Sequence, residues 1–152
     1  QDINKVTDSY DLITLFHVLE HIPDPRSILK DIVKKLKKGG QIIIEVPNVH
    51  DALLTLYKCR AFSKFTYWAC HLFLFNESTL AELTEQAGLK TNYITQIQRY
   101  PLSNHLYWLA RGRPGGHNSW NFLDSIELNN AYEQQLASIG SCDTIIGSFS
   151  IL

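Results

Sequence analysis

The chain has 152 residues, of which 45% are hydrophobic and 19% are charged, as is usual for a globular domain. Fourteen basic and fifteen acidic side chains leave a net charge of -1, so the chain has no basic excess with which to bind nucleic acid. No apolar run approaches the ~20 residues of a membrane span. The three cysteines are too few and too scattered for a disulfide framework or a thiolate zinc site, and they favour a cytoplasmic location: Cys59, Cys70 and Cys142.

The first fifty residues predict a strand, a helix and a second strand. The run "LITLF", Leu12 to Phe16, is too short for a helix and predicts a strand buried on both faces. Asp24-Pro25 is typical of a helix start, and we expect that helix to continue to Gly39-Gly40. "QIIIEV", residues 41–46, predicts the next strand. A βαβ unit with parallel strands follows from this order.

The remainder of the chain predicts three helices, a hairpin and a last strand. The helices are expected at residues 50–58, from Asn76 to Gly88, and at residues 125–139. "KTNYITQIQRY" and "HLYWLAR" predict an antiparallel hairpin, and "DTIIGSFSIL" predicts the closing strand. We therefore expect one α/β domain over residues 1–152.

The segment from His17 to His21, "HVLEH", spells the H-x-x-E-H pattern of some zinc peptidases. Such a site needs both histidines one turn apart on a stable helix, whereas Pro23 prevents a helix from continuing here. We therefore predict no metal. Because ligands of parallel sheets bind at the carboxyl ends of strands, the segment could face a ligand. Equally, its histidines could simply close a strand-to-helix connection.

Two longer stretches resemble a known family. "YDLITLFHVLEHIPDPRSILKDIVKKLKKGGQIIIEVPN", residues 10–48, resembles the fourth strand, following helix and fifth strand of class I S-adenosylmethionine-dependent methyltransferases. "HLFLFNESTLAELTEQAGLK", residues 71–90, is similar to the small-molecule branch of that family. The resemblance implies part of a Rossmann-like sheet, its fourth to seventh strands, flanked by helices. The last strand would be antiparallel and lie between the fifth and sixth.

The resemblance also implies which part of the domain is present. The family's glycine-rich G-x-G turn and the acidic residue after its second strand have no counterpart in this chain, so we expect the C-terminal portion of a methyltransferase domain. Asp2 and Ile3 match the family's adenine contact. Phe16 and His17 match the wall beside the methionine part of S-adenosylmethionine, which is the cofactor expected for the full-length protein.

Histidines are the candidates for catalysis, because methyl transfer to a protonated acceptor needs a base that titrates near neutral pH. His71 is the first candidate for a general base or substrate-orienting group, and His21 is the second. His71 could equally be a packing residue among aromatic side chains.

Candidate acceptor contacts come from three places in the sequence. Pro47 and Asn48 follow the second strand, and Tyr67 lies with Trp68 and Phe73 in an aromatic stretch that could line a pocket or form core. Four basic residues near turns could bind a phosphate or carboxylate, or could be surface charges: Arg99, His105, Arg111 and Arg113.

The sequence thus predicts part of a cytoplasmic methyltransferase that acts on a small molecule, and leaves open whether this chain alone is an enzyme. The alternative is a non-catalytic assembly module with a methyltransferase-like fold that binds no cofactor by itself. Expected partners are a small-molecule acceptor and a second copy paired through an exposed sheet edge, with neither nucleic acid nor membrane.

Overall fold

A computed structural model describes residues 3–68 and 70–152, without the side chains of Asn4 and Trp68. The described chain forms two compact units. Unit 1 contains the residues up to Val46, Leu72–Thr95 and Ile145–Leu152. Unit 2 contains Pro47–His71 and Gln96–Thr144. The expectation of one domain over the whole chain stays a prediction.

Unit 1 is built on a four-stranded sheet with helices beside it. Its strands in chain order are β1 (Tyr10–Phe16), β2 (Leu36–Pro47), β3 (Leu89–Ile97) and β4 (Thr144–Ile151), and its helices are α1 (Pro25–Val33) and α4 (Glu77–Gln86). Short 3-10 turns cover Ile3–Lys5 and Leu19–His21. The strand order is β1-β2-β4-β3. This is the mixed α/β arrangement that the sequence predicts.

Strand β4 lies between β2 and β3 and runs antiparallel to them. At its start, the Asn48 N–H just beyond β2 donates to the Asp143 carbonyl at 2.9 Å. At its end, the Leu152 N–H donates to the carbonyl of Gly88, just before β3, at 3.2 Å. The predicted insertion of an antiparallel last strand is therefore confirmed.

Strands β1 and β2 are parallel, and β2 begins earlier than predicted. Helix α1 ends at Val33 and not at Gly39-Gly40, because Leu36 already pairs with Tyr10. The register then shifts before Leu12 meets Gln41, and Gly39 absorbs this bulge with a φ of +83°. The predicted strand 41–46 is thus only the regular end of a twelve-residue strand.

Strand β1 is not buried on both faces, as the sequence predicts. Ile13 and Leu15 pack against the core of unit 1, whereas Tyr10, Leu12 and Phe16 are 42%, 56% and 52% exposed. Within the described part of the chain β1 is the terminal strand of the sheet. One face of β1 thus exposes large apolar side chains, among them Leu12 and Phe16.

The core of unit 1 lies between β2 and the helices beside the sheet. Alternate β2 residues point into it, as the period of a strand requires, and α4 starts with a capping box made by Asn76 and Thr79. The most deeply buried members are Leu19, Leu29, Ile42, Ile44, Val46, Leu80, Leu89, Ile145 and Phe149.

Unit 2 is helical. Its helices are α2 (Ala52–Thr55), α3 (Arg60–Trp68), α5 (Leu102–Arg111), α6 (Gly116–Ser119) and α7 (Ile126–Ser138), and a 3-10 turn covers Asn121–Leu123. Helix α7 confirms the prediction for residues 125–139. The predicted helix at 50–58 is shorter than expected, since α2 ends at Thr55, and Lys58, with a φ of +49°, lies between α2 and α3. No helix of the described residues is long and apolar enough to cross a lipid bilayer.

The predicted hairpin is wrong in its second half. Residues 89–97 do form a strand, but "HLYWLAR" lies in helix α5. Asn104, Tyr107 and Trp108 are buried at helical spacing, and Trp108 packs with Leu53 and Cys59. Tertiary burial of this face therefore outweighs the strand propensity of the aromatic residues.

Candidate functional site

The turn that follows β1 brings several polar side chains together at the carboxyl end of the sheet. The His17 N–H donates to the Glu45 carbonyl at 2.9 Å, as a continuation of the β1–β2 pairing. His17 itself has a φ of +51° and redirects the chain into the 3-10 turn Leu19–His21. The segment "HVLEH" is thus a single tight turn and not the α-helix that a zinc peptidase uses.

His17 contacts two carboxylates at once. Its Nε2 lies 2.9 Å from Glu45 Oε1, and its Nδ1 lies 3.3 Å from Glu20 Oε1. The exposed His21 places its Nε2 3.7 Å from the same Glu20 oxygen. Histidine therefore flanks the Glu20 carboxylate on two sides.

Glu20 is fully buried, and its neighbours keep it charged. Burial alone would raise the pKa of Glu20, but the hydrogen bond and charge of His17, with a smaller effect of His21, leave it below its ordinary value. The Glu20 carbonyl also accepts the N–H groups of Leu72 and Phe73, at 2.9 and 3.2 Å. A buried negative charge is therefore fixed both through its side chain and through its backbone.

A second polar cluster lies in unit 2, around the segment that follows β2. Asn48 is buried, and its amide nitrogen donates to the Cys142 carbonyl at 2.9 Å while its oxygen accepts the His50 N–H at 2.9 Å. Asp51 is also buried and caps α2 by accepting the Leu53 N–H at 2.6 Å. The polar residues after β2 thus hold the backbone of their own unit.

Asp143 is the most heavily bonded side chain of this cluster. Its carboxylate accepts the backbone N–H groups of Arg99 and Tyr100, both at 3.0 Å, and the Gln98 amide at 2.8 Å. Burial raises the pKa of Asp143, although these hydrogen bonds oppose the shift. Burial likewise raises the pKa of Asp51, to about 7, and the nearby Asp143 charge adds to the effect.

His105 joins this carboxylate to two tyrosines. Its Nε2 lies 3.1 Å from Gln98 Nε2, and its Nδ1 lies 2.7 Å from the Tyr132 hydroxyl. The Tyr132 hydroxyl lies 3.1 Å from that of Tyr57, which is part-exposed. Burial lowers the pKa of His105 to about 4, so the ring is neutral near pH 7.

The other predicted residues have the following surroundings, or lie outside the described part. Ile3 packs against the core of unit 1, Phe16 exposes its ring, and Tyr67 is exposed on α3. His71 is half-buried in the segment before α4, and Asp2 lies outside the described residues. The roles predicted for these residues, and for Pro47 and Asn48, stay predictions.

One sequence-based expectation about the basic residues is corrected. His105 was expected near turns at the surface, but it is 1% exposed, because it lies on the buried face of α5. Arg99, Arg111 and Arg113 are exposed. Most partners within both clusters cannot be recognised from the sequence. Asp51 could have been recognised as a helix cap before an apolar turn. The other partners come together through long-range packing, which the sequence does not show: Glu45, Tyr57, Tyr132 and Asp143.

The parallel β1–β2 pair, the inserted antiparallel β4 and the flanking helices define a Rossmann-like α/β fold. A family model described as a methyltransferase domain matches residues 1–93, which is more than half of the chain. The chain belongs to this methyltransferase domain family.

Curated relatives are similar over two thirds of the chain. The ubiquinone biosynthesis O-methyltransferase of Acinetobacter baylyi is 33% identical over 107 residues, which are 66% of this chain and 44% of that protein. The protein of the same name from Aeromonas salmonicida is 28% identical over the same shares. The chain therefore spans less than half the length of these relatives.

Solved structures show the same fold. A SAM-dependent methyltransferase from Archaeoglobus fulgidus superposes with a TM-score of 0.57 and 18% identity, over 97% of this chain and 62% of that one. A SAM-dependent methyltransferase from Thermotoga maritima gives a TM-score of 0.58 and 14% identity, over 99% and 61% of the two chains. S-adenosylmethionine is the cofactor that membership of this family implies.

The residues after β1 fit such a cofactor in chemical type. S-adenosylmethionine has apolar and aromatic parts beside a positively charged sulfonium. The Phe16 ring is exposed at the carboxyl end of β1, where ligands of such sheets bind. The charged, buried Glu20 lies in the turn that follows. An apolar contact surface and a fixed negative charge therefore occur in the same turn.

Proposed function

We propose that this chain is the C-terminal portion of a methyltransferase domain, and that the full protein transfers a methyl group from S-adenosylmethionine to a hydroxyl oxygen of a small molecule. The observation that supports this most strongly is the family match over residues 1–93. The choice of oxygen rests on the O-methyltransferase relatives.

When bound, S-adenosylmethionine would supply an activated methyl group, so that a C–O bond to the acceptor would form as the C–S bond breaks. The acceptor must also lose its hydroxyl proton to a base. The protein's task is then to align the two reactants and to receive this proton.

We assign residues at the turn after β1 to the cofactor. The Phe16 ring would cover its apolar part, and His17 would keep this turn in place, because both of its ring nitrogens contact carboxylates. Asp2 and Ile3 are proposed for the adenine on the strength of the family pattern alone.

We assign other residues to the acceptor. His71 is proposed as the general base or orienting group, with His21 as the second candidate, since imidazole titrates near neutral pH. Pro47, Asn48 and Tyr67 are proposed as acceptor contacts. For Asn48 the contact would come through the backbone carbonyl, because its side chain is bonded inside unit 2 and its N–H donates to the Asp143 carbonyl.

Calorimetric titration with S-adenosylmethionine tests this function. We expect no binding by residues 1–152 alone, but binding by a chain extended N-terminally through a G-x-G turn. In the extended chain, His71→Ala should keep the affinity for S-adenosylmethionine and lose at least about 100-fold in the rate of methyl transfer to a hydroxyl acceptor, within the usual range for a lost general base. His50→Ala is the matched histidine control.

Two results would overturn these assignments. An extended chain that binds no S-adenosylmethionine would instead support the alternative of a non-catalytic module with this fold. Equal losses of cofactor affinity and turnover in His71→Ala would remove His71 as the base.

We further propose that the protein acts in the cytoplasm and that two copies of this chain pair through β1. The three cysteines are few and scattered, and none forms a C-x-x-C pair, which fits a reducing compartment. The exposed apolar face of β1, on a terminal strand of the sheet, supports the pairing.

A further inference from the structure

Asp143 is connected to Tyr57 by hydrogen bonds through Gln98, His105 and Tyr132. The contacts of the Gln98 amide determine which group donates in each bond. Gln98 Oε1 accepts the Asp143 N–H at 3.0 Å, and Gln98 Nε2 donates to Asp143 Oδ2 and to the Tyr100 carbonyl, both at 2.8 Å. These three bonds fix the orientation of the amide. The amide nitrogen, and not its oxygen, therefore faces His105 Nε2.

The amide fixes the tautomer of His105. An amide nitrogen cannot accept a hydrogen bond, so His105 Nε2 must be the unprotonated ring nitrogen. Because both amide protons already point to Asp143 Oδ2 and the Tyr100 carbonyl, His105 Nε2 shares one of them at 3.1 Å. The neutral ring then carries its proton on Nδ1 and donates it to the Tyr132 hydroxyl at 2.7 Å. A proton on His105 Nε2 would place two hydrogen-bond donors, the ring N–H and the amide NH2 of Gln98, in repulsive contact.

The Tyr132 hydroxyl accepts from His105 and donates to Tyr57. Having accepted from His105, it has one proton to donate, and Tyr57 Oη lies 3.1 Å away. If Tyr57 donated to Tyr132 instead, the hydroxyl proton of Tyr132 would have no acceptor among the described residues. Leaving this half-buried polar group unbonded would cost free energy. Tyr57 therefore accepts from Tyr132, and its own proton points away from the cluster.

Tyr57 is suited to present this proton to a ligand. Its side chain is 39% exposed, and its ring stands edge-on to that of His105 at 6.1 Å. A chain of donors that point the same way strengthens its last member. The hydroxyl is thus a preoriented donor at the surface of unit 2.

We propose that Tyr57 is an acceptor-orienting residue, whose hydroxyl donates a hydrogen bond to an uncharged carbonyl or phenol oxygen of the small molecule to be methylated. This proposal rests on the proposed function. The Asp143 carboxylate lies at the other end of the same hydrogen-bonded chain, so an uncharged oxygen is favoured over a carboxylate.

Binding of 4-hydroxyacetophenone, followed by NMR titration at pH 6.5 without cofactor, tests the proposal. Tyr57→Phe should weaken binding about 3- to 10-fold, as expected for one neutral hydrogen bond. Tyr132→Phe should weaken it by a similar factor, and the double variant should lose no more than either single variant. The anion 4-hydroxybenzoate should bind more weakly than the ketone.

Tyr93→Phe is the matched control, because Tyr93 is an exposed tyrosine of unit 1 and its change should leave probe binding as it is. Nitrogen NMR of His105 should show the proton on Nδ1. The Nε2–H tautomer, a wild-type chain that binds no probe, or unchanged binding by Tyr57→Phe would each overturn the proposal. Since the measurement uses no cofactor, loss of S-adenosylmethionine binding would overturn the proposed function while leaving this result intact.

Discussion

His17 adopts a left-handed backbone conformation, with a φ of +51°, at the point where β1 ends. A residue with a Cβ adopts this conformation at some cost, which is offset where surrounding contacts fix it. Here the contacts are Glu45 at 2.9 Å and Glu20 at 3.3 Å, one on each side of the ring. The side chain thus holds the turn that its backbone makes.

Asp51 gives unit 2 a pH dependence that can be measured. Its pKa is raised by burial to about 7 from an unfolded value of 3.8, so the folded state binds the proton more tightly. The stability gained from this is complete below pH 3.8 and is lost as the pH rises to about 7. Asp51→Asn keeps a helix-capping oxygen and has no such proton to lose.

We therefore expect Asp51→Asn to match the wild type in unfolding free energy near pH 4 and to exceed it by about 2–4 kcal/mol near pH 8. Urea denaturation at a series of pH values measures this difference. His105 affects both proteins alike, so its opposite dependence cancels in the comparison. Asp8→Asn, at an exposed position, is the control. A difference that stays constant with pH would contradict the assignment.

Helix α5 is the element whose type could not be predicted from the sequence. The sequence places β1 and β4 as apolar runs, and α1, α4 and α7 as apolar helical patterns bounded by a cap or a glycine. Helix α5 has no side-chain cap at its start, where Pro101 stands. Its aromatic residues suit a strand as well, so only their burial against the rest of unit 2 decides between the two.

The close approach of α6 to α5 depends on Gly116. A Cβ at this position would lie 2.6 Å from the Asn104 Cα and 2.5 Å from the Tyr107 Cβ, and closer still to the Ser103 carbonyl oxygen. These are atoms of the helix itself or attached directly to it, so they cannot rotate away. The Gly116 N–H also donates to Asn104 Oδ1 at 3.2 Å.

We expect Gly116→Ala to lower the unfolding free energy by about 3 kcal/mol, at the upper end of the usual cost of overpacking. Gly88→Ala is the control, because Gly88 has a φ of +91° and open space around its Cα, which limits the cost to about 1–2 kcal/mol of backbone strain. Thermal or chemical denaturation of both variants measures the difference. A Gly116 variant as stable as the Gly88 variant would show that α6 can move away.

At the scale of the whole molecule, the exposed face of β1 should govern self-association. If two copies pair through this strand, Leu12→Lys places a charge beside the contact and should convert a dimer into a monomer. Thr91→Lys, on the exposed part of β3, is the control. Light scattering coupled to size exclusion gives the mass of each. A wild-type chain that stays monomeric at high concentration would contradict the proposed pairing.

The family and the sheet topology could be predicted from the sequence, because β1 to β2 and residues 71–90 are continuous stretches whose order carries the pattern. The two polar clusters could not be predicted in this way. His17 lies 28 residues from Glu45, and Gln98 lies 45 residues from Asp143. No local periodicity records contacts between residues so far apart in sequence.

The position of β4 between β2 and β3 also sets the order in which the protein can fold. Strands β2 and β4 are neighbours in the sheet but are separated by nearly a hundred residues of chain, and the entropy of closing so long a loop slows their pairing. On the ribosome, β1, β2 and β3 would all be made before the strand that joins β2 to β3. The nascent chain must therefore keep two apolar strand edges from pairing with other chains until Ile151 has been synthesised.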